Sequence, residues 1–143
     1  MVVIVILAIF VSLTTPRFRT TYLDLELSNH ARRLAKLLTY AQERAVVEGK
    51  AYRLQVDPMQ RRYWLTTEGE EEGRFTRLEG RYGRTTQLPI GISLEFEKEE
   101  IFFYPDGSSD PFTLSLRNEE GKALILREGK PFGYVRVEEA PST

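Results

Sequence analysis

Few residues in this chain could do chemistry, and their spacing works against each reaction they suggest. His30 is the only histidine and cysteine is absent, so HExxH-type zinc sites and thiolate chemistry are excluded. His30 falls among Asn29, Arg32 and Arg33 on a helical pattern and reads as a surface residue. Gly107-Ser-Ser-Asp110 lacks GxSxG spacing, and a triad through Ser108 would need His30 brought to it from elsewhere in the fold. Gly129-Lys130 matches the end of a P-loop, but Leu124 stands where the first glycine belongs and Pro131 where Ser or Thr would bind magnesium. That segment reads as a turn.

The charged clusters point the same way. Glu68, Glu70, Glu71 and Glu72 lack the alternating ligands of a calcium loop and repel one another, so a solvated loop is expected. Glu95, Glu97, Glu99 and Glu100 surround Phe96 and Lys98 in a hydrophilic stretch that offers a carboxylate pair no burial. Arg74, Arg77, Arg81 and Arg84 interleave with Phe75 and Tyr82, a mixture that could track phosphates and stack a base. Balanced by Glu68 to Glu72 and Glu79, it reads first as a polar loop. With 20 basic and 21 acidic residues the net charge is −1, so no global field draws the chain to nucleic acid or anionic lipid. No catalytic residue, metal, cofactor or small-molecule substrate is implied.

The elements that would carry these groups are clearer. The chain opens on an uncharged apolar run, Val2, Val3, Ile4, Val5, Ile6, Leu7, Ile9, Phe10, Val11 and Leu13, before Pro16, Arg17 and Arg19. As a helix it covers roughly 20 Å, against a hydrocarbon core of roughly 30 Å. No basic residue precedes the run and no small-x-small site follows it, which speaks against a cleaved signal peptide, and a retained membrane helix is favoured over a cleaved or buried segment. Arg17 and Arg19 alone would put the remainder in the cytoplasm by the positive-inside rule.

From Leu23 the pattern becomes amphipathic. Leu27, Ala31, Leu34, Leu38, Ala41 and Ala45 alternate spacings of four and three, one stripe on one helix face. Under three heptads long and half alanine, the stripe suits packing on the protein's own sheet better than a coiled coil. Gly49 stops the helix near Glu48. The period then drops to two: Tyr52 to Val56 and Tyr63 to Thr66 make a hairpin about Asp57-Pro-Met-Gln60. Further strands are expected at 75–78, 92–96, 101–104, 112–116, 124–126 and 134–137. Turn chemistry separates them at Pro105-Asp-Gly107, Asn118-Glu-Glu-Gly121 and Glu128-Gly-Lys-Pro131. The fold class is α+β: a long N-terminal helix over 1–48, then a mostly antiparallel β domain over 49–143.

This order of features resembles the GspH/FimT family, the minor pseudopilins of type II secretion and minor pilins of type IV pili. The resemblance rests on the apolar helix with its proline, on Leu34-Ala-Lys-Leu-Leu-Thr-Tyr-Ala41-Gln-Glu-Arg-Ala-Val-Val-Glu-Gly49, on Leu88-Pro-Ile-Gly-Ile92, on Ile101-Phe-Phe-Tyr-Pro-Asp-Gly-Ser108 and on Gly133-Tyr-Val-Arg136. It implies a pilin-like two-sheet domain and a non-enzymatic subunit of a pseudopilus. Residues 1–15 would form the membrane and assembly part, and 23–48 the part packed on a periplasmic β domain. The partners implied are other pseudopilins or pilins, the inner membrane and secreted cargo. The resemblance also implies a basic leader, a Gly-Phe junction and a helix glutamate upstream of Met1; about six more residues would bring the run to the roughly 20 a bilayer needs. Two rival functions remain: a type IV minor pilin that binds DNA through Arg74 to Arg84, and a membrane-anchored hydrolase.

Overall fold

The computed structural model describes residues 1–129 and 134–140, with side chains at all of these but 11–20, 129 and 134. One helix, α1 (Val2–Glu48), runs 47 residues, about 70 Å at 1.5 Å per residue. Gly49 ends it in the left-handed conformation, φ 64°, with its N–H returned to the Ala45 carbonyl. Only glycine takes that position without steric cost.

Among the described residues nine strands follow, and every pairing between them is antiparallel. In the first sheet β1 (Tyr52–Asp57) lies between β2 (Arg62–Glu68) and β6 (Glu100–Phe103), while β3 (Phe75–Arg77) and β4 (Thr86–Gln87) pair successive parts of β2. The second sheet has the order β5 (Ser93–Glu95), β7 (Thr113–Arg117), β8 (Ala123–Gly129), β9 (Tyr134–Glu139). Period-two alternation puts Tyr52, Leu54, Val56, Tyr63, Leu65, Ile101 and Phe103 on the inner face of the first sheet, and Leu94, Leu114, Leu116, Leu124 and Leu126 on that of the second. Both faces close on the C-terminal half of α1, and these residues form one core with it.

Three local expectations change. β8 continues through Glu128 and Gly129, where the sequence suggests a turn, because Gly129 still pairs with Tyr134 of β9; 130–133 lie outside the described residues. Between β3 and β5 the chain forms a 3-10 turn (Arg81–Gly83) and the short β4, which the polar composition of 74–87 concealed. His30 is half-buried rather than a surface residue. Burial and the neighbouring Arg33 hold its pKa below the ordinary imidazole value, against a smaller opposing pull from Glu26.

Candidate assembly surface

The two halves of α1 have opposite surroundings. Met1, Val2, Val3, Ile4, Val5, Ile6, Leu7, Ile9 and Phe10 are all exposed, Ile4 to 71%. The side chains of Val11, Leu13 and Pro16 lie outside the described set. Farther along, Leu27, Ala31, Leu34, Leu38, Ala41 and Ala45 are all at 1% exposure or less. A helix apolar on every face needs an apolar surrounding on every face, whereas a single stripe needs only one sheet-lined trough. No helix among the described residues is long and apolar enough to cross a membrane.

Polar contacts fix where the packed half begins and ends. At its lower end Asn118, 5% exposed, donates from Nδ2 to Asp24 Oδ1 at 3.3 Å. Its Oδ1 accepts the N–H groups of Glu120 and Lys122 at 3.1 and 3.0 Å. Lys122 Nζ lies 3.7 Å from Asp24 Oδ2. One buried amide thus closes the β7–β8 turn and docks it on the helix. The sequence marks Asn118 only as a turn residue.

Higher up, Gln42 Nε2 donates to the Gly107 carbonyl at 3.1 Å. That carbonyl sits in Pro105-Asp-Gly-Ser108, where Asp106 Oδ1 accepts from the Ser108 hydroxyl and N–H at 2.5 and 2.9 Å. Those two bonds hold the Asp106 carboxyl below its ordinary pKa. Tyr40 stacks on Tyr82 with centroids 3.9 Å apart and planes 9° from parallel, pinning the 3-10 turn to the helix. At the top the Tyr52 hydroxyl donates to Glu48, which also pairs with Arg44 at 2.7 Å. Burial first, then that hydrogen bond, pushes the Tyr52 phenol up to about 12.

The residues considered for chemistry do not converge. Ser108 serves its turn, and His30 Nδ1 has no hydrogen-bond partner among the described residues. No group of three or more His, Asp or Glu side chains among the described residues could hold a metal. The arginines separate as well. Arg74 pairs with Glu71 at 3.0 Å in the glutamate loop, Arg77 lies over Trp64 on the outer face of β3, Arg81 lies over Tyr82 on the helix side, and Arg84 is exposed beyond the 3-10 turn.

A long helix whose second half is sealed by two antiparallel sheets has known counterparts. The family model of the type II transport protein GspH matches residues 30–129, which takes in the buried stripe from Ala31 and all of both sheets except β9. The chain belongs to the GspH family. No curated protein matches it in sequence. Among solved structures, the minor pseudopilin EpsH of the Vibrio cholerae type 2 secretion system aligns at a TM-score of 0.69 and 21% identity, over 80% of this chain and 97% of that one. A second EpsH structure gives 0.68 and 20%, over 82% and 97%. The type IV minor pilin FimU of Pseudomonas aeruginosa aligns at 0.57 and 18%, over 82% and 90%. At these identities the likeness speaks for the fold, and the fold is that of a minor pseudopilin. Family and fold together make this GspH-family chain a pseudopilin, a structural subunit of type II secretion.

Proposed function

We propose that the chain acts as a minor pseudopilin whose working surface is the exposed apolar half of α1, without catalysis. Before assembly the residues from Val2 to Leu13 would lie in the inner membrane, and in the filament they would pack among neighbouring helices. The β domain would stand in the periplasm on residues 23–48, where it meets other pseudopilins and secreted cargo. The observation that carries this reading is the contrast in exposure along one unbroken helix: apolar residues bare on all sides below, sealed above.

The test is membrane fractionation of the product of its own genomic locus, with protease added from the periplasmic side. An inner-membrane product whose β domain is digested from that side is expected. A soluble cytoplasmic product would overturn the reading.

The two-sheet fold shared with FimU favours one second reading, a minor pilin of a type IV system. DNA uptake through Arg74, Arg77, Arg81 and Arg84 gains little from their scatter over separate elements. A gel shift with salt titration separates the readings: binding that falls steeply with salt supports DNA contact, and no binding at low salt removes it.

A further inference from the structure

Two stretches without a carboxylate meet on one flank of α1. Leu27 to Gln42 holds Arg32, Arg33 and Lys36 and no Asp or Glu, and Gly80 to Leu94 holds Arg81 and Arg84 and none either. The Tyr40–Tyr82 stack joins them. Arg33 and Lys36, seven and four residues before Tyr40, lie on its face of the helix, while Arg81 lies over the Tyr82 ring at 5.5 Å. Lower down, Tyr63 links the two sides: burial raises its phenol pKa, and a Thr86 hydrogen bond and the Arg33 charge pull against that rise. Thr86 stands two residues past Arg84, so helix cations and turn cations share one surface.

All five cations are exposed. Glu26, Glu43 and Glu79 bound the two stretches, yet Arg32, Arg33, Lys36 and Arg84 make no ion pair or side-chain hydrogen bond among the described residues. The flank keeps an excess of positive charge. The opposite excess stands in the loop after β2, Glu68-Gly-Glu-Glu-Glu-Gly73. There Arg74 answers Glu71 at 3.0 Å and Glu68 accepts the Gly73 N–H at 2.8 Å, while Glu70 and Glu72 are exposed and unpaired among the described residues. The Glu68 N–H, bonded to the Ala51 carbonyl at 2.9 Å, holds this loop beside the C-terminal end of α1. Lys36 lies about 18 Å farther down the helix, at 1.5 Å per residue from Glu48. Loop and flank of one chain therefore stand apart.

We propose that the basic flank of α1 receives the glutamate loop of a second copy of this chain. Charge complementarity carries the choice of occupant: Glu70 and Glu72 of the incoming loop would meet Arg33, Lys36 and Arg84, and each side brings charges that its own chain leaves unpaired. The acidic stretch at 95–100 is a poorer match. Its Glu95 and Glu100 are paired with Arg117 and Arg53, and Lys98 lies within it. A compact loop fits between Glu26, Glu43 and Glu79, whereas a nucleic acid running past the flank would be repelled by them. Loop on flank is a heterologous contact, the kind that adds copies in sequence. The inference is independent of the role proposed for the apolar half of α1.

Sedimentation of the full chain in non-ionic detergent micelles, followed against protein concentration and salt, tests this. Association that weakens between about 50 and 500 mM salt is expected, because exposed charges are screened. Arg33→Glu with Lys36→Glu, and separately Glu70→Lys with Glu72→Lys, should each weaken it about tenfold or more, as attraction between exposed charges turns to repulsion. Mixing the two variants should restore association, since the intact loop of one then meets the intact flank of the other. All four positions are exposed, so the fold is retained, as circular dichroism will verify, and the milder Glu70→Gln with Glu72→Gln should weaken association in the same direction. Contacts through the bare apolar half of α1 would survive every one of these changes. No salt-sensitive association, variants that associate like the parent, or no recovery on mixing would overturn the proposal. So would a single-stranded oligonucleotide that binds the flank of a chain that does not self-associate.

Discussion

Ile4 and Leu38 lie on one helix and are both large aliphatic residues, yet Ile4 is 71% exposed and Leu38 fully buried. The difference comes from the residues around each. Near Ile4 every helix face is apolar, so no single sheet could satisfy the segment, and only a bilayer or a bundle of helices surrounds it fully. Near Leu38 the neighbours Arg32, Arg33, Lys36 and Glu43 hold the other faces in water, and one stripe of alternating leucine and alanine turns to the sheets. Burial of one such aliphatic side chain is worth about 1.5–3 kcal/mol. In the second half that energy holds the fold together; in the first half, on the function proposed above, it would go to assembly.

The sharpest way to break the comparison is to truncate one residue in each half. Leu38→Ala should destabilise the folded domain by about 2–5 kcal/mol, because the sheets cannot collapse into the cavity. Ile4→Ala should leave its thermal midpoint unchanged. Denaturation of both variants in detergent measures this, and equal losses would mean that the halves are not distinct.

Next comes the boundary between them. Asn118→Ala removes the amide that holds Asp24 and closes the β7–β8 turn, with an expected loss of about 1–3 kcal/mol. Amide exchange should quicken first around residues 24–30. A smaller loss, about 0.5–1.5 kcal/mol, is expected for Tyr82→Ala, which unstacks the 3-10 turn from Tyr40. Faster proteolysis within 78–84 would report it.

The smallest effect is a pH dependence at the Gln42 anchor. Hydrogen bonds from Ser108 lower the folded-state pKa of Asp106 below its unfolded value. The stabilisation is therefore present above the unfolded carboxylate pKa and is lost as pH falls through the lower folded value. An NMR titration of the Asp106 carboxyl should show the depressed midpoint, and Ser108→Ala should return it toward the ordinary value.

What could be read from sequence follows from which interactions are local. The four-three spacing of Leu27 to Ala45 and the alternation in Tyr52 to Val56 are local patterns, and helix, hairpin and the α+β class were visible in them, whereas the two-sheet arrangement came only with the family resemblance. Residues 74–87 hold no such pattern. Their shape depends on Tyr82 meeting Tyr40 and on Gly83, where an added Cβ would stand 1.7 Å from the Leu78 carbonyl oxygen. Both are contacts that neither composition nor period reports. The exposed apolar run was evident as a stretch of side chains; the role of Asn118 was not, because a turn asparagine and a buried clamp look alike until the helix is in place.

The central claim, that one helix serves two environments, is tested most directly by labelling. The chain contains no cysteine, so single substitutions report alone. Ile4 and Val47 are equally bare in the isolated chain, 71% and 74% exposed. In cells with a permeabilised outer membrane, a membrane-impermeant maleimide should label Val47→Cys readily and leave Ile4→Cys protected until detergent is added. Equal labelling of the two positions before detergent would contradict the account.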